Sequence, residues 1–255
     1  MQFVVSKQNL QRELAFVQGV VERKNTIPVL SNILIESVGE STIRITGTDL
    51  DVTIRCDMDA EDIKNPGAIC VQARKLFEIA RLLPDAPVSF TKEDNEWVTV
   101  KCDRARFKLV GVARDAFPEV PSFKSAPTKI LAGVLKTFID RTIFAITQEE
   151  SRYTLSGAKF VLDEASAKMV TTDGHRLAYV ERKNVATNGS TQSIDTLIPR
   201  KTLAELTKLT GGFDGDISLG MDENHIYFEI GTRLLISRML YGQFPNYEMV
   251  MPKNN

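Results

Sequence analysis

The sequence is poor in the residues that most enzyme sites and metal centres use. Its 255 residues include two histidines, three cysteines and one tryptophan. The histidines, His175 and His225, lie far apart in the chain, and the cysteines fit neither a CxxC nor a zinc-ligand spacing. The motifs GxxxxGK[ST], GxGxxG, HExxH and GxSxG are all missing. We therefore expect no catalytic site, no metal and no cofactor.

Long hydrophobic runs are missing as well. No apolar segment reaches the roughly 18–20 residues that a membrane span needs, and the N-terminus becomes polar too early for a secretory signal. The odd number of cysteines is typical of reduced thiols. We expect a cytoplasmic protein without a membrane partner. A composition of 43% hydrophobic and 25% charged residues is that of a globular chain, long enough for two domains.

An internal repeat indicates that one domain has been duplicated. Thr48-Asp49 recurs as Thr172-Asp173, at a spacing of 172 − 48 = 124 positions. Arg74-Lys75 recurs as Arg200-Lys201, at 200 − 74 = 126, and Phe117-Pro118 recurs as Phe244-Pro245, at 244 − 117 = 127. Three markers with nearly one spacing predict two similar domains, residues 1–126 and 127–255, with a boundary near Ala126.

Each half shows the order strand, helix, strands, helix, strands. Apolar stripes predict helices from Ser6, the N-cap, to about Val21, over residues 74–83 and 200–209, and within residues 130–146. Residues 61–67 are predicted to form a polar loop, and residues 153–160 to form a strand. Because the strands outnumber the helices and follow one another directly, we predict an α+β fold with mostly antiparallel sheets and helices on one face.

The stretch TTDGHRLAYV, at positions 171–180, is predicted to be a β-hairpin with a tight turn. Gly174 supplies the positive φ that the turn needs, and Asp173 can bond to its own backbone there. A catalytic pair of Asp173 and His175 is the alternative, since a carboxylate can orient an imidazole. No nucleophile is linked to this pair by a motif, so we favour the hairpin.

Basic residues are concentrated on the predicted helices. Arg74-Lys75 and Arg200-Lys201 open equivalent helices, whereas much of the acidic charge falls in segments predicted to be loops. A basic helical face suits the phosphate backbone of a nucleic acid without reading its bases. The alternative, that lysine and arginine simply keep helix faces solvated, stays open on composition alone because the net charge is −1.

The ordered motifs IPVLSNILIE, GTDLDV, VQARKLFEI, FPEVP, RYTLSGAKF, TTDGHRLAYVERK, PRKTLAEL and QFPNYEMVMPKN carry a resemblance that spans nearly the whole chain. The chain resembles the first two domains of the bacterial DNA polymerase III beta subunit, the sliding clamp. The resemblance implies the DNA-clamp fold: a homo-oligomeric ring of six similar domains, with helices around non-specifically held duplex DNA. It also implies a processivity factor without catalysis that binds the polymerase catalytic subunit, the clamp loader and repair proteins through short linear motifs.

The resemblance also implies functional residues, carried over position by position. The peptide-binding cleft of the family matches Arg152, Leu155, Thr172, Gly174, His175, Arg176, Leu177, Pro245 and Val250. The DNA contacts are similar to Lys24, Arg74, Tyr153, Arg200 and Lys201. The subunit edge of the first domain matches Phe107 and Leu109, for which burial in an alternating strand is the alternative. For Tyr153 the alternative is packing within a strand.

Some features depart from the family pattern. Glu149 and Thr154 stand beside Tyr153 where an amide and a second aromatic residue are expected, which weakens the predicted DNA contact of that loop. The third clamp domain has no counterpart in these 255 residues. A trimer of 28.5 kDa chains, three times 28.5 or about 85 kDa, would supply six domains. The alternative function is an interaction module outside a ring that displays only the peptide cleft.

Overall fold

The computed structural model describes residues 1–21, 26–122, 128–149, 151–183, 185 and 193–252. Two compact units divide the chain: Met1–Pro121 with Thr232–Leu235, and Ser122–Gly231 with Ile236–Asn255. The boundary predicted at Ala126 lies outside the described residues. No helix within the described ranges is long and apolar enough to cross a membrane.

The first unit is an antiparallel sheet with two packed helices. Its elements are β1 Gln2–Val5, α1 Lys7–Val17, β2 Asn32–Val38, β3 Thr42–Thr48, β4 Val52–Asp59, β5 Glu61–Lys64, β6 Ala68–Gln72, α2 Ala73–Leu82, β7 Val88–Lys92, β8 Trp97–Cys102 and β9 Ala105–Val112. The strand order is β4-β3-β2-β6-β9-β8-β7-β1-β5. The paired registers, such as Leu34↔Thr46 and Ile45↔Cys56, are antiparallel, which confirms the predicted pairing.

Helix α1 shows how the sequence sets the first core. Ser6 caps it, because the Ser6 hydroxyl accepts the Asn9 N–H at 3.1 Å. Leu10, Leu14 and Val17 are buried on one face, as the stripe predicts. A Cβ atom on Gly47 of β3 would lie 2.6 Å from the Val17 side chain, so glycine allows the helix to approach the sheet closely.

The second unit repeats the plan. Its elements are β10 Thr128–Leu131, α3 Ala132–Thr142, β11 Gly157–Leu162, β12 Ser166–Thr172, β13 Leu177–Lys183, β14 Ile194–Pro199, α4 Arg200–Leu209, β15 Asp216–Met221 and β16 His225–Ile230. The last strand, β17 Arg233–Arg238, is divided between the units, with residues 233–235 in the first and 236–238 in the second. One sheet has the order β13-β12-β11-β14, and β10-β15-β16 are paired next to one another. Helices α3 and α4 contact each other, and α3 packs on β12 and β13. Phe138, Phe160 and Phe228 are fully buried.

Two predictions about the first unit were wrong. Helix α1 ends at Val17 and not near Val21, because Gly19, a poor helix former, follows it and bonds back to Phe16 in a tighter turn. The predicted loop at 61–67 contains β5, which pairs with β1 through Gln2↔Lys64. This edge strand is mostly exposed, so it lacks the apolar alternation by which strands are recognised.

One prediction about the second unit is confirmed and one was wrong. Residues 130–146 carry helix α3, as predicted, with β10 before it and a 3-10 turn, Ile143–Ala145, after it. Residues 153–160 are not one strand, since a 3-10 turn, Tyr153–Leu155, precedes β11. In both places local apolar content does not distinguish a strand from a helical turn. The pairing of β10 with β15, as in Lys129↔Ser218, decides the first case.

Candidate peptide cleft and nucleic-acid interface

The predicted turn between β12 and β13 is held by its own side chains. The Thr172 hydroxyl donates to the Arg176 carbonyl at 2.7 Å and accepts the Gly174 N–H at 3.1 Å. The Asp173 carboxylate accepts the backbone N–H groups of His175 and Arg176, both at 3.0 Å. Strand β12 pairs with β13 from Ser166↔Lys183 to Thr172↔Leu177. The predicted hairpin is therefore confirmed.

Two arginines hold this turn from outside. Arg152 Nη1 donates to the Asp173 carbonyl at 2.8 Å, and Arg176 Nε donates to the Asp173 carboxylate at 2.9 Å. Arg176 Nη2 also reaches the Phe144 carbonyl at 2.9 Å, with its guanidinium 5.6 Å from the Phe144 ring centroid. Gly174 has φ +88°, and a Cβ atom there would lie 2.8 Å from Arg152 Nη1. Glycine thus satisfies both the backbone angle and the approach of Arg152.

These hydrogen bonds fix the ionisation of Asp173. The backbone N–H groups of Arg176 and His175, and then the Arg176 side chain, lower the pKa of Asp173 from 3.8 to about 2. The carboxylate receives the His175 backbone N–H and not its imidazole. Asp173 therefore acts as an acceptor that shapes the turn, which removes the orienting role on which the catalytic alternative depended.

A cleft of about 390 Å³ lies beside this turn. Its lining comprises Leu155, Thr172, Gly174, His175, Arg176, Leu177, Pro245, Asn246, Tyr247 and Val250. Beneath it Val170, Leu197 and Phe244 form a buried cluster, against which Leu155, Leu177 and Tyr247 pack. Apolar side chains thus form the floor, while histidine, arginine and asparagine lie at the rim. Such a site suits a short peptide with apolar anchors.

The structure brings together the residues predicted for the cleft. Eight of the nine line it, and the ninth, Arg152, donates to the Asp173 carbonyl of the turn. Sequence reasoning missed Asn246 and Tyr247, which also line the cleft. Their position directly after the repeated Phe-Pro marker was the available signal. Tyr247 packs at 5.9 Å from the Tyr179 ring and 6.4 Å from the Phe244 ring, so it forms a fixed wall.

Comparison with known proteins identifies the family. Family models of the DNA polymerase III beta subunit match residues 1–121 with the N-terminal domain and residues 129–246 with the central domain. The chain belongs to the DNA polymerase III beta subunit family. This confirms the resemblance inferred from the motifs.

Individual relatives agree with this assignment. The beta sliding clamp of Pseudomonas aeruginosa is 35% identical over 254 residues, covering 99% of this chain and 68% of that protein. The clamp of Escherichia coli is 31% identical over 255 residues, covering all of this chain and 69% of that protein.

Solved structures of clamps share the fold. A DnaN sliding clamp from Pseudomonas aeruginosa bound to griselimycin has a TM-score of 0.92 and 35% identity, covering 100% of this chain and 68% of its own. The sliding clamp from Bacillus subtilis has a TM-score of 0.92 at 28% identity, with the same coverage. The DNA-clamp fold predicted from the sequence is therefore confirmed.

Each of the four helices of this clamp-family chain carries a net positive charge. The net charge is +1 on α1 (Lys7 and Arg12 against Glu13), +2 on α2 (Arg74, Lys75 and Arg81 against Glu78), +1 on α3 (Lys136 and Arg141 against Asp140) and +2 on α4 (Arg200, Lys201 and Lys208 against Glu205). These helices sum to +6. Because the whole chain is −1, the remainder carries −1 − 6 = −7.

The residues predicted to contact DNA differ in their surroundings. Arg74 is exposed and pairs with Glu78 at 2.7 Å. Arg200 is half-buried, and its Nη1 donates to the carbonyls of Ile143 at 3.1 Å and Ile146 at 3.3 Å. Lys201 is half-buried as well, and Lys24 lies outside the described residues. Arg200 therefore holds α4 to the end of α3 in addition to any contact with DNA.

The loop before β11 holds the features that departed from the family pattern. Glu149 pairs with Arg152 at 3.2 Å, so its negative charge is compensated locally. The Tyr153 side chain is 53% exposed on its 3-10 turn. The alternative in which Tyr153 packs within a strand is therefore wrong. Its contact with DNA stays a prediction.

Strand β9 carries the residues predicted for the subunit edge. It pairs with β8 from Trp97↔Val110 to Cys102↔Ala105, but it meets β6 only through Gly111 and Val112 in the part of the chain that the structure describes. Phe107 is 36% exposed and Leu109 is half-buried. The alternative in which both are core residues is wrong, and an open edge of this kind favours pairing with another strand.

Proposed function

We propose that this protein is a DNA sliding clamp, a polymerase processivity factor whose domains encircle duplex DNA without reading its sequence. The observation that carries the proposal is the contrast between helices α1 to α4, with a net charge of +6, and the remaining chain, with −7. Basic side chains near a phosphate backbone release counterions, so they hold DNA without sequence preference. The protein acts as an accessory subunit in the bacterial cytoplasm and has no catalytic site of its own.

The ring needs contacts between copies of the chain. We assign one of them to the open edge of β9, where Phe107 and Leu109 lie. Pairing at this edge would satisfy the backbone groups of residues 105–110 on their second side and cover the exposed part of Phe107. The chain spans 68% of the Pseudomonas aeruginosa clamp. The number of chains in a ring is therefore measured, as the native mass, in the same experiment.

The test compares DNA of different topology. The protein is incubated with a nicked circular plasmid, with the same plasmid linearised, and with linear plasmid whose biotinylated ends carry streptavidin, and bound protein is separated by gel filtration. A ring stays on the circle, slides off the free ends and is retained again by blocked ends. Light scattering on the same sample gives the mass, for which a closed trimer is about 85 kDa, three times 28.5 kDa. Equal retention on all three DNAs contradicts the proposal.

We also propose that the cleft beside β12 and β13 recruits the polymerase, the clamp loader and repair proteins through short linear motifs with Leu and Phe anchors. The support is the apolar floor of Leu155, Leu177 and Pro245 within a polar rim. Relatives bound to griselimycin show that clamps of this fold accept a ligand. A module outside a ring that displays only this cleft is the alternative, and it predicts peptide binding with no dependence on DNA topology.

Leu177→Asp tests the cleft. Placing a carboxylate on the apolar floor should lower the affinity for a labelled Leu/Phe peptide by at least about fifty-fold. The carboxylate would lose its water when the apolar anchor packs against it. Fluorescence anisotropy measures the affinity and circular dichroism confirms the fold. Glu164→Lys is the matched control, since Glu164 is exposed at the opposite end of β11 and β12. Unchanged binding by Leu177→Asp refutes the cleft.

A further inference from the structure

The short turn Tyr247–Val250 forms one side of the cleft and ends in unusually exposed apolar side chains. Met249 is 79% exposed and Val250 is 71% exposed. Large hydrophobic side chains with this exposure beside an apolar pocket are typical of contact surfaces. Glu248, also exposed, precedes them. We call Glu248, Met249 and Val250 the acidic-apolar rim.

The acidic-apolar rim has a fixed base. Tyr247 packs against Tyr179 and Phe244, and the Asn246 side chain accepts the Glu248 N–H at 3.2 Å. In a 3-10 turn the side chains three positions apart share a face, so Tyr247 and Val250 both line the cleft. Glu248 and Met249 therefore project beside the cleft from a rigid turn, and a bound peptide that extends past its anchors would meet them.

The charge around this rim is negative. A second depression, of about 410 Å³, adjoins the cleft across Pro245, Asn246 and Tyr247 and is lined by Lys159 and Glu248 among others. Lys159 already pairs with Asp195, and among the residues that the structure describes no ion pair includes Glu248, which lines this depression. Burial raises the pKa of Tyr247, and Glu248, Glu181 and Asp195 raise it further against the opposing effect of Lys168.

From these observations we infer that the acidic-apolar rim selects partner motifs whose flank, next to the Leu and Phe anchors, carries a lysine or arginine beside an aliphatic residue. The basic side chain would pair with Glu248, and the aliphatic one would cover Met249. Methionine suits this role because its flexible, polarisable side chain adapts to differently shaped apolar partners. The inference rests on the proposed peptide cleft and adds the chemistry of the flank.

A charge-swap experiment tests the inference. Fluorescein-labelled Leu/Phe peptides carry the flank Lys-Leu, Glu-Leu or Lys-Ser, in one series on the amino side of the anchors and in another on the carboxyl side. In the series whose flank lies beside the acidic-apolar rim, the protein should bind Lys-Leu about three- to five-fold more tightly than Glu-Leu at low salt, as expected for an exposed ion pair. The preference should fall at high salt and reverse in Glu248→Lys. Glu164→Lys should leave it unchanged.

The apolar half of the rim is tested with Met249→Ser. This variant should bind Lys-Leu about three-fold more weakly while binding Lys-Ser as the unchanged protein does. Leu82→Ser removes a different exposed apolar side chain, 83% exposed in the first unit, and should leave both affinities unchanged. Because Met249 is exposed, its replacement should not unfold the protein.

Three outcomes would overturn the inference. Equal affinities for Lys-Leu and Glu-Leu in both series would show that Glu248 selects no charge. Equal effects of Met249→Ser on Lys-Leu and Lys-Ser would show that Met249 contacts no flank. A change in native mass without a change in peptide affinity would make the rim a contact between copies of the chain. In each case tight binding of the anchors, lost in Leu177→Asp, leaves the proposed cleft intact, whereas failure of the anchors to bind refutes the cleft itself.

Discussion

The two copies of the Thr-Asp turn, one in each unit, have the same internal hydrogen bonds. The Thr48 hydroxyl donates to the Val52 carbonyl and accepts the Leu50 N–H, as Thr172 does with Arg176 and Gly174. The Asp49 carboxylate accepts the two following N–H groups, of Asp51 and Val52, in the same way as Asp173. A duplicated five-residue pattern has therefore kept its local geometry.

The surroundings of the two turns differ. Where the second turn has Gly174 at φ +88°, the first has Leu50 at φ +81° with 47% of its side chain exposed. The position of Arg176, which reaches Phe144, is taken in the first turn by the buried Val52. Arg152 covers the space beside Gly174. Side-chain hydrogen bonds make the turn, and its neighbours decide whether it can form the wall of a cleft.

Exchanging the residues at the positive φ position should have the largest effect. Gly174→Leu should lower the affinity for the Leu/Phe peptide by at least about ten-fold and the unfolding free energy by about 1–2 kcal/mol. The new side chain strains the backbone at positive φ and collides with Arg152. Leu50→Gly should change stability by no more than about 1 kcal/mol. Anisotropy and urea unfolding measure the two effects. Similar effects of both changes would contradict the comparison.

Removing the turn carboxylate should have the next largest effect. Asp173→Asn should lower the melting temperature, because the Asp173 carboxylate holds the Arg176 side chain as well as two backbone N–H groups. Asparagine can still accept one N–H, so the turn should persist. Hydrogen exchange of the amides at 174–176 measures the local opening. An unchanged melting temperature with unchanged exchange would show that the carboxylate adds nothing to the turn.

Lowering the pH should remove the contribution of the Asp173 carboxylate to stability. The pKa of Asp173 in the folded protein is about 2, against an ordinary value of 3.8, so its contribution to stability is present above about pH 4 and is lost as the pH falls from about 4 to about 2. The difference in melting temperature between the unchanged protein and Asp173→Asn should shrink over this window. A difference that stays constant down to pH 2 would mean that Asp173 titrates normally.

Arg176→Lys should have the smallest effect. An ammonium group cannot bond to Asp173, bond to the Phe144 carbonyl and stack on the Phe144 ring at once. We expect a loss of about 0.5–1 kcal/mol in unfolding free energy, and a coupling of similar size with Phe144→Ala in a double-mutant cycle. A coupling near zero would show that the ring contact adds no stability.

Most of the local structure was predictable from the sequence. The Ser6 cap, the Thr172–Asp173 turn and helix α4 follow from residues within a few positions of one another. The repeat was also visible, although helices α2 and α4 begin at Ala73 and Arg200, 200 − 73 = 127 positions apart, so Arg74 corresponds by helix position to Lys201 and not to Arg200. The two basic pairs are 126 positions apart, and matching them by charge alone hid this shift of one residue, because charge does not show where each helix begins.

The sequence by itself determined which side chains close the turn, where the apolar stripes lie and, through the ordered motifs, which family the chain resembles. Only the tertiary structure decided that β5 pairs at an edge, that Arg200 binds the carbonyls of Ile143 and Ile146, and that Tyr247 forms a wall of the cleft. The physical reason is the distance along the chain between the residues that interact. Hydrogen bonds over three or four residues depend on spacing, which a sequence displays. Burial and strand pairing depend on partners tens of residues away, which only the folded chain brings together.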